Sequence, residues 1–169
     1  MKKNNKKRKF VPNFIPGSLF PQPYTSDEPY GGYIFDRNMQ MVCKSELDKT
    51  LKAAETCNAF MRFVAAAFNN AYDSGYTLPK EIAYPFRAEK DHIYDVNGLL
   101  VLCIRGWGYL TSVKCFSPKI AAEVQNKMAV WAVNWMNAYV EILKMCKNPD
   151  VLDIVKADKA AEAAEVKQC

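Results

Sequence analysis

The single histidine, His92, is the first place to look for catalysis. Cys103 follows it along the chain, and Asp91 and Asp95 flank it. A cysteine nucleophile needs a base within hydrogen-bond reach and a third group to orient that base. These residue types meet the requirement on paper. Cys103, however, lies in the apolar run Leu99-Leu100-Val101-Leu102-Cys103-Ile104, where a thiol is inert rather than activated. A zinc site of His92, Cys103 and Cys115 lacks a fourth ligand and a closely spaced pair. None of the six cysteines forms C-x-x-C, so they read as reduced, small apolar residues. The chain has no P-loop, dinucleotide fingerprint, H-E-x-x-H or G-x-S-x-G, and the reading is non-enzymatic with no cofactor.

A second cluster, Arg105-Gly106-Trp107-Gly108-Tyr109, carries binding chemistry. The glycines let the backbone turn or approach another group closely. Arg105 offers a planar cation, and Trp107 and Tyr109 offer π faces, a set that can hold a phosphate and stack on a base. The competing reading makes the same residues a strand-end bulge whose aromatics pack on the following helix.

The other cationic candidates lie at the start of the chain. Lys2, Lys3, Lys6, Lys7, Arg8 and Lys9 are six of 23 basic residues. Residues 10–169 keep 17 bases against 18 acids, a net charge of −1 within a chain of +5. That excludes the broad cationic face of a duplex-DNA domain but not a basic tail that reaches phosphates. Four prolines break the stretch after the tail, so no signal-peptide helix can form there. No apolar run reaches the ~18 residues of a membrane span. The expected location is cytoplasmic.

Residues 1–31 read as a basic tail and a Pro-rich arm, with a single α+β domain over 32–169. Pro12, Pro16, Pro21, Pro23 and Pro29 alternate with large apolar residues, which predicts an extended segment that docks in a groove. Its groove is either on the chain itself or on a neighbouring subunit, as in a homo-oligomer joined through residues 10–30. A hairpin is expected around Asp36-Arg37-Asn38 and another around Asn97-Gly98, where both central residues are expected to need positive φ. Leu47, Leu51, Ala54, Cys57, Met61, Val64, Phe68 and Tyr72 make one helical face, opened by Ser45 and capped by Gly75. Ile120, Val124, Met128, Trp131, Trp135, Tyr139, Ile142 and Cys146 make a second, opened by Ser117-Pro118 and broken by Asn148-Pro149. Residues 76–90 read as a loop. The Ala-rich C-terminal stretch reads as helix-prone.

The sequence also echoes itself. Ile34-Phe35-Asp36-Arg37-Asn38 resembles Ile93-Tyr94-Asp95-Val96-Asn97, and Asn70-Ala71-Tyr72 resembles Asn137-Ala138-Tyr139. The prediction is two β-hairpin–long helix units forming one small antiparallel sheet packed on helices. The stretch YDVNGLLVLCIRGWGYLT, followed by SPKIAAEVQNKMAVWAVNWMNAY, resembles small uncharacterised proteins of tailed phages and prophages with an IRGWG-LT loop. The resemblance covers about residues 84–140 and implies an origin rather than a mechanism. Many members are Gly-rich after the loop, and Ser112-Val113-Lys114-Cys115-Phe116 departs from that pattern. The expected function is a phage-type accessory protein binding an anionic partner: nucleic acid, a nucleotide or an acidic host protein. Lys6, Lys7, Arg8, Lys9, Arg105, Trp107 and Tyr109 are its candidate ligand contacts. The alternative is a structural or assembly protein, such as a virion component, whose arm contacts neighbouring subunits.

Overall fold

The computed structural model describes residues 19–27, 32–47, 54–71 and 75–146. The basic tail, the arm up to residue 18, the start of the first helix, Tyr72, the Asn148-Pro149 break and the Ala-rich C-terminal stretch lie outside them. Six strands form one antiparallel sheet: β1 (Thr25–Ser26), β2 (Tyr33–Phe35), β3 (Met41–Ser45), β4 (Arg87–Glu89), β5 (His92–Tyr94) and β6 (Leu100–Ile104). Their order is β1-β2-β3-β6-β5-β4. Two helices follow the two strand triplets, α1 (Ala54–Asn69) and α2 (Pro118–Cys146). The chain is therefore α+β, with two strand–helix units sharing one sheet. Among the described residues no helix is long and apolar enough to cross a membrane.

Each hairpin gains a third strand. β1 comes from the C-terminal part of the Pro-rich arm, and β4 from the stretch read as a loop. Phe20 and Tyr24 of the arm are buried in the core, and the Gln22 amide donates to the Phe68 carbonyl at 2.8 Å. The arm thus docks, over residues 19–27, on its own chain. β1 is an edge strand, where few backbone donors are needed.

The echo is an internal backbone symmetry over residues 32–46 and 91–105. A shift of 59 residues, the separation of Glu46 and Arg105, carries residues 32–46 onto 91–105 with their hydrogen bonds. Ser45 N–H donates to Gly32 O, as Ile104 N–H donates to Asp91 O. Glu46 N–H donates to Val101 O, as Arg105 N–H donates to Val42 O. The register slips at the same place in both units, between Ile34 and Phe35 and between Ile93 and Tyr94. β3 and β6 pair Cys43 with Ile104, Lys44 with Cys103 and Ser45 with Leu102. The shift exchanges the outer two pairs and maps the middle one onto itself. A local two-fold axis therefore passes between Lys44 and Cys103.

Both hairpin turns are built by an aspartate. Asp36 Oδ1 accepts from the N–H groups of Asn38 and Gln40, and Asp95 Oδ1 from that of Leu99, all at 2.8 Å. The loops are three residues long and close with one residue of positive φ, Met39 at 59° and Gly98 at 84°. Asn97 is not in that region, so the turn is not the two-residue type the Asn-Gly pair predicts. In α1 the cap is Asn70 (φ 50°) rather than Gly75. Asn70 N–H donates to Ala67 O and Ala71 N–H to Ala66 O, a Schellman closure. In α2 Ser117 Oγ accepts from the Ile120 N–H at 3.4 Å, as expected of its cap.

Both helices cover one face of the sheet. Ile34, Cys43, Ile93, Leu102 and Ile104 meet Phe60, Met61, Val64 and Phe68 of α1 and Val124, Met128 and Tyr139 of α2. Trp131 and Trp135 sit at the edge of this core; Trp131 leans on Phe68 and Tyr24 at ring distances of 4.8 and 5.8 Å. Each helix also clamps the approach to its own first strand. Asn69 accepts from Tyr24 N–H and donates to Tyr24 O, at 2.7 Å each. Asn137 does the same to Phe86, at 2.9 and 3.1 Å. The symmetric partner of Asn137 is thus Asn69, one residue before the match that the letters suggest.

Candidate functional site

Alternation along the strands gives the sheet a second face, on which none of the described residues forms a helix. Tyr33, Lys44, Cys103, His92 and Glu89 are successive cross-strand partners from β2 to β4, so their side chains lie in one row on this face. Phe35, Tyr94 and Arg87 extend it at two-residue spacing. Tyr33, Phe35 and Tyr94 are half-buried aromatics outside the helix-covered core. Tyr33 and Phe35 have ring centroids 6.2 Å apart, and His92 and Tyr94 stack at 6.5 Å. Each aromatic pair has a cation: Lys44 Nζ lies 5.7 Å from the Tyr33 ring and the Arg87 guanidinium 5.0 Å from the Tyr94 ring.

Among the described residues three acids near this face are paired with cations or His92, and a fourth, Asp27 opposite Tyr33, has no cationic partner but accepts from the Tyr33 N–H through Oδ1 at 3.0 Å. Arg105 donates to Glu46 Oε1 at 3.1 Å, with the Glu46 side chain 5% and the Arg105 side chain 42% exposed. Glu89 pairs with Arg87. Asp91 Oδ1 lies 2.8 Å from His92 Nδ1. Among the described residues Lys44 has no acidic partner.

His92 and Cys103 do face one another across β5 and β6. Burial, with the Glu46 carboxylate adding to it, pushes the Cys103 thiol up to about 11. The thiol is therefore protonated at neutral pH, and the pair has no thiolate to use in attack. Cys43, on the core face, is also pushed up, chiefly by burial. Among the described residues no group of three or more His, Cys, Asp or Glu could hold a metal ion.

The Arg105–Tyr109 segment divides between packing and exposure. Gly106 has φ 88°, and a Cβ there would meet Phe20 Cζ at 2.7 Å. Gln125 Nε2 donates to the Ile104 and Arg105 carbonyls at 3.3 Å each, which fixes the end of β6 to α2. Tyr109 opens a single π-helical turn, Tyr109–Val113, and its partly buried ring packs against the core, with the Phe20 ring of the arm 5.5 Å away. Lys114 Nζ lies 5.3 Å from the Tyr109 ring. Trp107 remains 44% exposed. Arg105 shares the open face with Cys103, two residues before it on the same strand line. Trp107 lies beyond its end, and Lys6, Lys7, Arg8 and Lys9 lie outside the described residues.

Sequence reasoning missed Tyr33, Phe35, Lys44, Arg87 and Tyr94. The signal was present: Tyr33-Ile34-Phe35 and His92-Ile93-Tyr94 alternate ring, isoleucine, ring. In a half-covered strand the central isoleucine points to the core and both rings point away. No family model, curated protein or solved structure matches the chain.

Proposed function

We propose that the chain is a non-enzymatic, phage-type accessory protein that binds an anionic partner across the open face of its sheet. The observation that carries this reading is the row of half-buried aromatic rings with cations beside them, centred on Lys44. Large half-exposed rings contribute little to the core, yet offer contact area and, with adjacent cations, charge. Arg105 and Trp107 extend this surface at the end of β6. The basic residues at positions 2–9 supply long-range attraction, which ~0.15 M salt screens beyond roughly 8 Å. The resemblance of residues 84–140 to tailed-phage proteins supports the phage-type role. The assembly reading draws no support from residues 19–27, whose apolar groups are spent on the chain's own core.

Fluorescence anisotropy with labelled polyanions tests the proposal: a single-stranded oligonucleotide, a duplex and polyglutamate, each titrated at several salt concentrations. Binding should weaken steeply with salt. Deleting residues 2–9 should flatten the slope without changing the preferred ligand. Arg105→Lys and Trp107→Ala should alter preference at constant slope. Absence of binding to all three polyanions at low salt would refute the reading.

A further inference from the structure

We infer that the partner is a single-stranded nucleic acid, held by two half-sites related by the internal two-fold axis. This rests on the proposed anion-binding role of the open face and names its occupant. The 59-residue shift carries Tyr33 onto His92 and Phe35 onto Tyr94. The face therefore has two two-ring platforms, one on β2 and one on β5. β3 and β6 lie between them, so the platforms stand three strand spacings apart, about 14 Å. That separation is too long for one base and suits bases splayed along a short strand.

The occupant follows from the chemistry of the two platforms. A phosphate polymer or an acidic peptide would use the cations and leave four rings unused. Unpaired bases use both, because every base has a π face and every linkage a charge. A duplex keeps its bases stacked on one another, out of reach of rings fixed on a sheet. Among the described residues Glu46, Glu89 and Asp91 are paired with Arg105, Arg87 and His92, and Asp27, opposite Tyr33 just past the edge strand, has one carboxylate oxygen occupied by the Tyr33 N–H. Lys44, beside the axis, is the cation left for the backbone between the two bases.

The two halves are unequal, which gives the site a direction. The axis-related partner of Lys44 is the uncharged Cys103. The phosphate contact is therefore displaced toward the Tyr33 platform. A bound strand should run in one preferred polarity, rather than equally in both.

The test uses the full-length protein and oligothymidylates of about two to about eight nucleotides, read by anisotropy at fixed salt. Affinity should step up once a strand spans both platforms. Tyr33→Ala and Tyr94→Ala should each weaken single-strand binding by about 5- to 150-fold, the ratio for a lost stack of about 1–3 kcal/mol. Tyr33→Phe should restore it, and all variants should stay folded at the assay temperature by circular dichroism, since the rings lie outside the helix-packed core. Equal affinity for duplex, or tighter binding of polyglutamate, would overturn the single-strand assignment and leave anion binding standing. Salt-dependent binding unaffected by both alanine variants would overturn the half-sites alone. No binding to any polyanion would overturn both.

Discussion

Asp36 and Asp95 are both buried and build the same turn, yet the Oδ2 of one lacks the hydrogen bond that its twin has. Asp95 Oδ2 accepts from the Ala83 N–H at 3.1 Å. Asp36 Oδ2 is buried and has no hydrogen-bond partner. The symmetry supplies the reason. Val96 N–H donates to Ala83 O, and Arg37 N–H donates to Pro21 O. Pro21 thus occupies the place of Ala83 and has no N–H to give. Pro21→Ala should restore the missing bond. An unsatisfied buried oxygen costs about 1–3 kcal/mol. Losing proline returns about 0.4–1 kcal/mol of freedom to the unfolded chain. The net expectation is a gain of about 0.5–2 kcal/mol, read as a higher urea midpoint at constant m. Ala83→Pro should do the reverse at the other turn, costing about 1–3 kcal/mol as Asp95 Oδ2 is orphaned. A lower midpoint for Pro21→Ala together with a neutral Ala83→Pro would refute the reasoning.

Further outcomes follow from other features of the fold. Asn137→Ala should cost about 2–3 kcal/mol by denaturant titration, because it strands the Phe86 N–H and C=O together, and Asn137→Asp should not rescue it, because an acceptor-only carboxylate oxygen then faces the Phe86 carbonyl. Met39→Gly should stabilise by about 0.5–1 kcal/mol, since Met39 is 69% exposed and holds the positive φ that Gly98 holds in the other unit. Phe68→Ala should cost about 3–5 kcal/mol and Trp131→Ala less, Phe68 being fully buried and Trp131 only partly. Stability should fall in alkali: burial raises Cys103 from 9.0 to about 11 and Tyr24 from 10.0 to about 12. The unfolded chain then gives up these protons first, so stability is full below about pH 9 and is lost toward pH 11–12. Unfolding midpoints at stepped pH should show this loss, and Cys103→Ala should reduce it.

The two helices and both hairpins were legible because their signals are local. Apolar residues at steps of three and four, Ser117-Pro118 and the paired Ile-aromatic-Asp segments each bear on a few neighbours in the chain. β1 and β4 were not legible. Thr25–Ser26 follows prolines, and Arg87–Glu89 is polar at its visible ends, so neither shows a strand's alternation. They are strands because Asn69 and Asn137 hold the residues just before them, a contact between positions about 45 to 51 apart. Gly75 was a sound cap by type, but Asn70 tolerates the same left-handed backbone and comes first. In the candidate site, Arg105 and Trp107 stood out as a motif. Tyr33 and Tyr94 did not, since which face of a strand is covered depends on helices far away in sequence.

An isologous dimer must place each residue on its axis against its own copy, and join residues beside the axis to their own kind as well. Here the same kind of interface is contained in one polypeptide, and that restriction is lifted. Glu46 and Arg105 occupy equivalent positions and meet each other as an ion pair at 3.1 Å. In a dimer of identical units those positions would be two carboxylates or two guanidinium groups, each repelling its copy. Lys44 opposite Cys103 is the same freedom exercised at the axis itself. Joining the units end to end lets a symmetric scaffold carry an asymmetric surface, so each half can vary alone while the backbone that unites them stays the same.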